Sequence, residues 1–481
     1  MSINLQIEID KSKINNFAEL IMKVLAAVLQ LGCKIVSEVL EEWDREIMNK
    51  RDKKRYRCKG QRKTCIKTVM GEIEYKRRYY EDRTKEGKGY HVYLLDEQMG
   101  LNKIGLIEEH VCKIIARMIC VMPYRAVAEQ ITKLTGMRIS TQGVWNVVQE
   151  MGRRRLRMLE RLSELAEKGV GLGKKISKIL YAELDGLWLK LQGKDRQGNE
   201  NGKELKIATA YDGVEKSGAE GKERYTLHNK LAFSSFEDAK MFKKHLEGLI
   251  ANTYAVKEIT LRVLNGDGAN WIKGWISGTI EQLDKFHRNQ KISRCVKDET
   301  LRKELRTLLY AKDIPQLLSR IEQAVEKAED EKEREGLLEL CRYYKENETG
   351  LTSYCERGVE IPETCQPGEV FLARLGSMES NVFTLAANRM KGGRACWSIA
   401  GGNNLASLLD MNYTCGFDEL FLPLPPLPIP ETQDTGSPSS ASKIPESVGK
   451  GNAFYRQSGT CLPSFLRNYC ADVSFAELKI I

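Results

Sequence analysis

The chain has 481 residues, 76 Lys+Arg against 66 Asp+Glu, and a net charge of +10. That length suits about three domains at roughly 150 residues each, and the charge excess is moderate enough that its distribution matters more than its size. Thirteen cysteines, an odd number scattered without tight pairs, speak against a disulfide framework and for reduced cytosolic thiols.

Residues 1–50 are read as an amphipathic helical region, with Phe17, Leu20, Ile21, Val24, Leu25, Val28 and Leu29 at helical spacing. Its most apolar part, Leu20 to Val36, is broken by Lys23 and Lys34, which predicts an amphipathic helix and no membrane span. Residues 51–100 form a basic loop and a hairpin. Arg51, Lys53, Lys54, Arg55, Arg57, Lys59, Arg62 and Lys63 face a single acid, Asp52, in a block suited to phosphate contacts or to a solvated face. Cys58 and Cys65, separated by six residues, are too loosely spaced for the usual zinc knuckle. Thr64 to Tyr80 then alternates around Gly71. This hairpin carries Lys76, Arg77 and Arg78 and serves either as a DNA-contacting ribbon or as a cross-brace, the brace being slightly favoured.

Residues 101–175 carry a helix-turn-helix pattern. Pro123 opens a helix with Val127, Ala128, Ile131 and Leu134 inward, Gly136 breaks it, and Ser140 can cap the next. That second helix turns Val144, Val147 and Val148 inward and leaves Thr141, Gln142, Trp145, Asn146 and Gln149 for other work. Arg153, Arg154, Arg155 and Arg157 follow, a second basic block.

Residues 176–295 switch to strands: Lys178 to Leu191, Glu204 to Tyr211 and Arg224 to Phe233, then a helix from Phe236 to Ile250 and a strand from Lys257 to Leu264. Three meandering strands, a helix and a further strand is the order of a ribonuclease H-like core. In that order the first and fourth strands lie side by side, bringing Asp185 and Asp267 together although 82 positions separate them. Residues 296–349 are charged and helical throughout, an all-α insertion, and residues 350–415 return to the core. The whole reads as an α/β, multidomain chain. Residues 416–481 form a tail; Leu422 to Ser447 holds seven of the twelve prolines and is expected to be a flexible linker.

Three acidic stretches stand out: Leu184-Asp185-Gly186, Asn265-Gly266-Asp267-Gly268 and Ser377-Met378-Glu379-Ser380. Two carboxylates at strand ends and one opening a helix could cage two Mg²⁺ ions, since hard cations take carboxylate oxygens and leave positions for phosphate. Asp284-Lys285-Phe286-His287 follows the second stretch and adds His287, one of only five histidines. After Glu379, Arg389-Met390-Lys391 and Arg394-Ala395-Cys396-Trp397-Ser398 form a basic-aromatic segment able to hold a DNA strand.

Asn265-Gly266-Asp267-Gly268 with Asp284-Lys285-Phe286-His287 resembles the second-aspartate region and D-x-x-H element of Mutator-type DDE transposases. In particular it is similar to the bacterial ISLre-type insertion-sequence transposases. Gly376 to Glu379, continuing to Trp397-Ser398, resembles that family's catalytic-glutamate region. The Gly71 hairpin with Arg77-Arg78-Tyr79-Tyr80, and Tyr90 to Asp96, also fit, so the likeness spans roughly residues 15–415.

The resemblance implies a DNA transposase with a ribonuclease H-like core and an all-helical insertion. Asp185, Asp267 and Glu379 would be its metal-binding triad and His287 and Asp284 accessory site residues. Two Mg²⁺ ions, with Mn²⁺ as substitute, would serve strand cleavage and transfer. Thr141, Gln142, Asn146, Arg77, Arg78, Arg153, Arg154, Arg155, Arg389, Lys391 and Arg394 would contact double-stranded DNA, both terminal inverted repeats and target. Joining two ends implies a homodimer or larger assembly in the cytoplasm at the nucleoid. The competing expectations are a catalytically inactive, transposase-derived DNA-binding protein and another ribonuclease H-like nuclease.

Overall fold

The computed structural model describes residues 14–84, 91–199, 202–219, 222–275 and 278–428. It is a mixed α/β molecule in which several sheets are interleaved with helices.

Helix α1 (Phe17–Lys50) runs unbroken for 34 residues from its cap, Asn16, whose side chain accepts the Glu19 amide. Only the second half is packed. Ser37 Oγ donates to the Glu74 carbonyl at 2.7 Å, and Glu41 and Asp44 accept the amides of Lys76 and Arg78 at 2.9 Å. The first half leaves Phe17, Met22 and Val28 exposed. By length and composition α1 is long and apolar enough to cross a membrane, a longer apolar helix than the interrupted stretch predicted from sequence.

The block expected as a basic loop is mostly strand. β1 (Tyr56–Thr68) pairs antiparallel with β2 (Gly71–Asp82) from Tyr56↔Asp82 to Thr68↔Gly71, with a register shift at Gly60. Ile73, Tyr75 and Arg77 alternate inward along β2. After a short helix at Leu94–Gln98 come α2 (Glu109–Ile119), α3 (Tyr124–Thr135) and α4 (Thr141–Glu167). Gly136 ends α3 at φ 67, a left-handed conformation that glycine adopts at little cost. Ser140 Oγ caps α4 by accepting the Gly143 amide at 3.0 Å. With 27 residues, α4 continues well beyond the turn and packs on the rest of the molecule.

The central sheet is built from β3 (Ile179–Leu189), β4 (Lys203–Tyr211), β5 (Leu231–Ser235), β6 (Leu261–Gly266) and β7 (Ile280–Leu283), in the order β5-β4-β3-β6-β7. The first three strands are antiparallel neighbours, whereas β6 runs parallel to β3 and β7 parallel to β6. Helix α5 (Ala239–Thr253) makes the crossover into β6. Two details differ from the sequence expectation. The third predicted strand splits at Asn229, whose φ of 50 turns the chain. Arg224–Leu227 therefore joins Val214–Ser217 and Val370–Phe371 in a separate small sheet, and only Leu231–Ser235 enters the central one. Asp185 also lies within β3 rather than at its end, because pairing with β4 continues through Gly186↔Lys206 to Leu189↔Lys203.

After β7 come α6 (Lys285–Cys295), α7 (Glu299–Ala311), α8 (Ile314–Lys327) and α9 (Glu331–Glu346), which share a core including Leu305, Leu317, Ile321 and Leu340. Helix α10 (Met378–Val382) continues through a π turn to Met390, and α11 (Ile399–Tyr413) packs against α4. Residues 416–425 are not the start of a free tail. Phe417, Leu420 and Phe421 are buried, and Arg161 donates to the Pro425 carbonyl at 2.8 Å. Residues 429–481, with most of the predicted proline-rich tail, lie outside the described residues.

Candidate metal centre

The parallel pairing of β3 and β6 ends at Leu184↔Gly266, so the next residue on each strand brings Asp185 and Asp267 to the same level. Asp284 follows β7, its amide donating to the Gly266 carbonyl at 2.8 Å. Its Oδ1 accepts the amides of Phe286 and His287 at 2.9 and 3.1 Å, which caps α6 and fixes His287 in the first turn. His287 Nε2 then stands 3.4 Å from Asp185 Oδ2 and 3.7 Å from Glu379 Oε1. Donor atoms of Asp185, His287 and Glu379 all lie within 4.8 Å of one another. Asp267 adjoins this trio without belonging to it, and its Oδ1 accepts the Ala269 amide at 2.9 Å. Asp284 is a buried helix cap bonded to Asn265 rather than a fourth member.

The electrostatics record crowding of negative charge. Burial, with Asp185 beside it, holds the Asp267 carboxyl above its usual range against the opposing Ala269 hydrogen bond. Burial and Asp185 likewise raise Glu379. For His287 burial alone would favour the neutral ring, but Asp185, Asp284 and Asp267 outweigh it and push the pKa up to about 9. Its Nε2 is buried without a well-formed hydrogen bond. Clustered carboxylates with raised pKa values fit a divalent cation, which relieves like-charge repulsion and takes oxygen ligands, while the unpaired Nε2 donor is left for an anionic oxygen.

Two acids that the sequence reading missed complete the surroundings. Glu183 is fully buried. It accepts Tyr211 Oη at 2.6 Å, Asn265 Nδ2 at 2.8 Å, the Gly376 amide at 2.7 Å and Ser377 Oγ at 2.5 Å. It thereby ties β4, β6 and the approach to α10 to one carboxylate. An acid inside the wholly buried run of β3 was its one sequence signal, since buried carboxylates are rarely unpaired. Glu204, paired with Trp188, folds its side chain over Gly186, where an added Cβ would come within 2.0 Å of its Oε1. Burial raises its carboxyl, Lys206 opposes, and Asp267 and Asp185 add to the rise. The insertion grips the same place: Tyr343 Oη on α9 donates to the Asp267 carbonyl at 2.7 Å.

The residues predicted to contact DNA divide into two groups. Thr141, Gln142 and Asn146 are exposed at the start of α4, with Gln142 Nε2 donating to Asn146 Oδ1 at 3.0 Å, and Lys391 and Arg394 are exposed beyond α10. Arg153 is exposed but paired with Glu150 at 2.9 Å. The others are structural. Arg155 is buried, and Arg154 donates to the Lys103 carbonyl at 3.2 Å and lies over the Phe421 ring. Arg77 is buried against Asp96 and Tyr93, and Arg78 pairs with the buried Asp44 at 2.6 Å. Arg389 donates to the Ile119 carbonyl at 2.7 Å. Gln149, also expected to be free, is buried and accepts Asn404 Nδ2 at 2.6 Å. Long cationic side chains within a helix or strand can bury their stems and cap carbonyls, which a count of charges does not reveal.

A model of UPF0236, described as an uncharacterised protein family, matches residues 11–414. A UPF0236 protein of Caldanaerobacter subterraneus subsp. tengcongensis, one name covering eleven loci, is 25% identical over 346 residues, spanning 71% of this chain and 68% of its own. A second protein of that bacterium, whose name covers four loci, is 25% identical over 348 residues, again 71% and 68%. The UPF0236 protein in the vanSb 3′ region of Streptococcus gallolyticus is 20% identical over 409 residues, 82% of each chain.

Proposed function

Because the chain belongs to the UPF0236 family, we propose that it is a DDE-type DNA transposase that cleaves the ends of an insertion sequence and joins them to target DNA. The observation that carries this reading is the convergence of Asp185, His287 and Glu379, from three distant segments, within 4.8 Å beside Asp267. The sheet order, with three antiparallel strands followed by two parallel ones, supports a ribonuclease H-like core. Related proteins at many loci of one bacterium support a mobile element as their source.

Asp185, Asp267 and Glu379 would hold two Mg²⁺ ions, with Mn²⁺ as substitute. Bound ions would supply Lewis-acid activation of the attacking oxygen and charge relief at the leaving oxygen. Protonated His287 would present Nε2 to a phosphate oxygen, and Asp284 would keep that ring in place. Glu183 would set the distance between Glu379 and the strand acids. Thr141, Gln142 and Asn146 would enter a groove of the terminal repeats, while Lys391, Arg394 and Arg153 contact phosphates. Two ends held at once require a homodimer or larger assembly, working in the cytoplasm on nucleoid DNA.

The test uses duplexes carrying the terminal repeats that flank the gene. With Mg²⁺ the wild-type chain should nick at the repeat end and join the freed 3′-hydroxyl to a second duplex. Asp185→Asn should bind the same duplex and leave it uncut. Equal cutting by Asp185→Asn would remove the assignment, whereas binding without any wild-type cutting would favour a DNA-binding protein.

A further inference from the structure

A second group of donors lies away from the acidic centre. Asp212 follows β4, His228 follows the strand Arg224–Leu227, and Cys365 comes from the return segment before Val370. One donor atom of each lies within 4.8 Å of the others. Asp212 is fully buried and His228 nearly so.

The orientation of the imidazole singles this group out from an ordinary polar cluster. His228 Nε2 stands 3.3 Å from Glu215 Oε1, so that nitrogen has a carboxylate to receive its proton. Nδ1 faces Asp212 Oδ1 at 2.6 Å, a hydrogen bond to that carboxylate, and Cys365 Sγ at 3.5 Å; an incoming ion would displace the shared proton while the ring keeps the one on Nε2. Metal-binding histidines almost always donate their second nitrogen to an acceptor in this way. Asn229 Nδ2 meanwhile donates to Asp212 Oδ2 at 3.0 Å, steadying the carboxylate from behind. Tetrahedral zinc places a thiolate and an imidazole nitrogen about 3.5 Å apart, which matches the Cys365–His228 separation. The Asp212–His228 pair would need to open by less than about 1 Å to admit the ion.

We propose that Asp212, His228 and Cys365 bind one zinc ion, whose fourth position is left to water. A single thiolate with an imidazole and a carboxylate favours zinc over the hard cations suited to the acidic centre. Binding releases to solvent the thiol proton of Cys365 and the proton shared by His228 Nδ1 and Asp212, with no change of oxidation state. The consequence is mechanical. Val370, five residues beyond Cys365, pairs with Glu215, and the chain then reaches Gly376 and Ser377, both bonded to Glu183. The ion would staple the segment that delivers Glu379 to the end of β4.

The experiment measures metal in the full chain purified from zinc-supplemented medium without chelators. One zinc per chain is expected. Cys365→Ser and His228→Gln should each lower retention tenfold or more, while Asp185→Asn keeps it. Cobalt exchanged into the wild type should give a thiolate-to-metal charge-transfer band that Cys365→Ser lacks. A wild-type chain with neither zinc nor that band overturns the proposal, as does a band that survives Cys365→Ser. None of these readouts depends on DNA cleavage, so failure here and failure of the transposase reading are distinguishable.

Discussion

Ser377 Oγ donates to Glu183 Oε1 at 2.5 Å, linking residues 194 positions apart. The bond sets where α10 begins, and so where Glu379 stands relative to Asp185. Glu183→Gln would turn amide hydrogens toward groups that are already donors. Leaving buried partners unsatisfied costs about 1–3 kcal/mol, so the melting temperature should fall by roughly 2–10 °C. DNA cleavage should fall much further than DNA binding, which paired melting and cleavage measurements would reveal.

His287 gives a pH dependence with a definite sign. Its folded pKa, at about 9, lies above the ordinary value of 6.5. Its stabilisation is therefore fully present below about pH 6.5 and is lost as the pH rises through about 9. With a chelator present, the melting temperatures of wild type and His287→Ala should differ most near pH 6 and converge by about pH 10. A gap that widens with pH would contradict the proximity of His287 to Asp185 and Glu379.

The basic residues should separate into two classes. Lys391→Ala and Arg394→Ala are expected to weaken binding of any DNA sequence, each lowering the salt-dependence slope by about 1. Arg155→Ala and Arg389→Ala should destabilise the fold instead, by about 2–4 kcal/mol, because they remove buried packing and hydrogen bonds. Thermal melts beside salt-dependent binding curves would distinguish the classes.

Tyr343→Phe removes one hydroxyl from the insertion. The Asp267 carbonyl loses its 2.7 Å donor, a loss of about 1 kcal/mol in stability. Cleavage should drop on the order of tenfold, in line with that energy acting on the position of an essential group. Unchanged cleavage would show that α9 does not position Asp267.

The strands were legible in their hydrophobic runs, whereas the meeting of Asp185 with Asp267 was expected from the ribonuclease H-like arrangement that their order resembles, not from the runs themselves. The two helices and the turn between them were legible from Gly136 and Ser140, whose roles are local. Glu183 and Glu204 were not, since their meaning lies in partners such as Ser377 and Gly186 that only the tertiary fold supplies. The fates of Arg77, Arg155 and Arg389 were hidden for the same reason: a charge run states how many cations there are, not which carbonyls or acids receive them. The break at Asn229 was also invisible, because a left-handed asparagine leaves no pattern in hydrophobicity.

Helix α4 is one long, stiff element. At about 1.5 Å per residue, its 27 residues form a beam about 40 Å long. Thr141, Gln142 and Asn146 stand at one end. Further along, Gly152 meets Asn404 of α11, and Ser163 meets Gly248 of α5, contacts so close that an added Cβ would fall 2.4 and 2.8 Å from its neighbours. A tilt of about 5° at the capped end would displace the far end by roughly 3.5 Å, more than those crossings can absorb. A displacement of the first turn would thus be met at α5 and α11, without any intervening hinge.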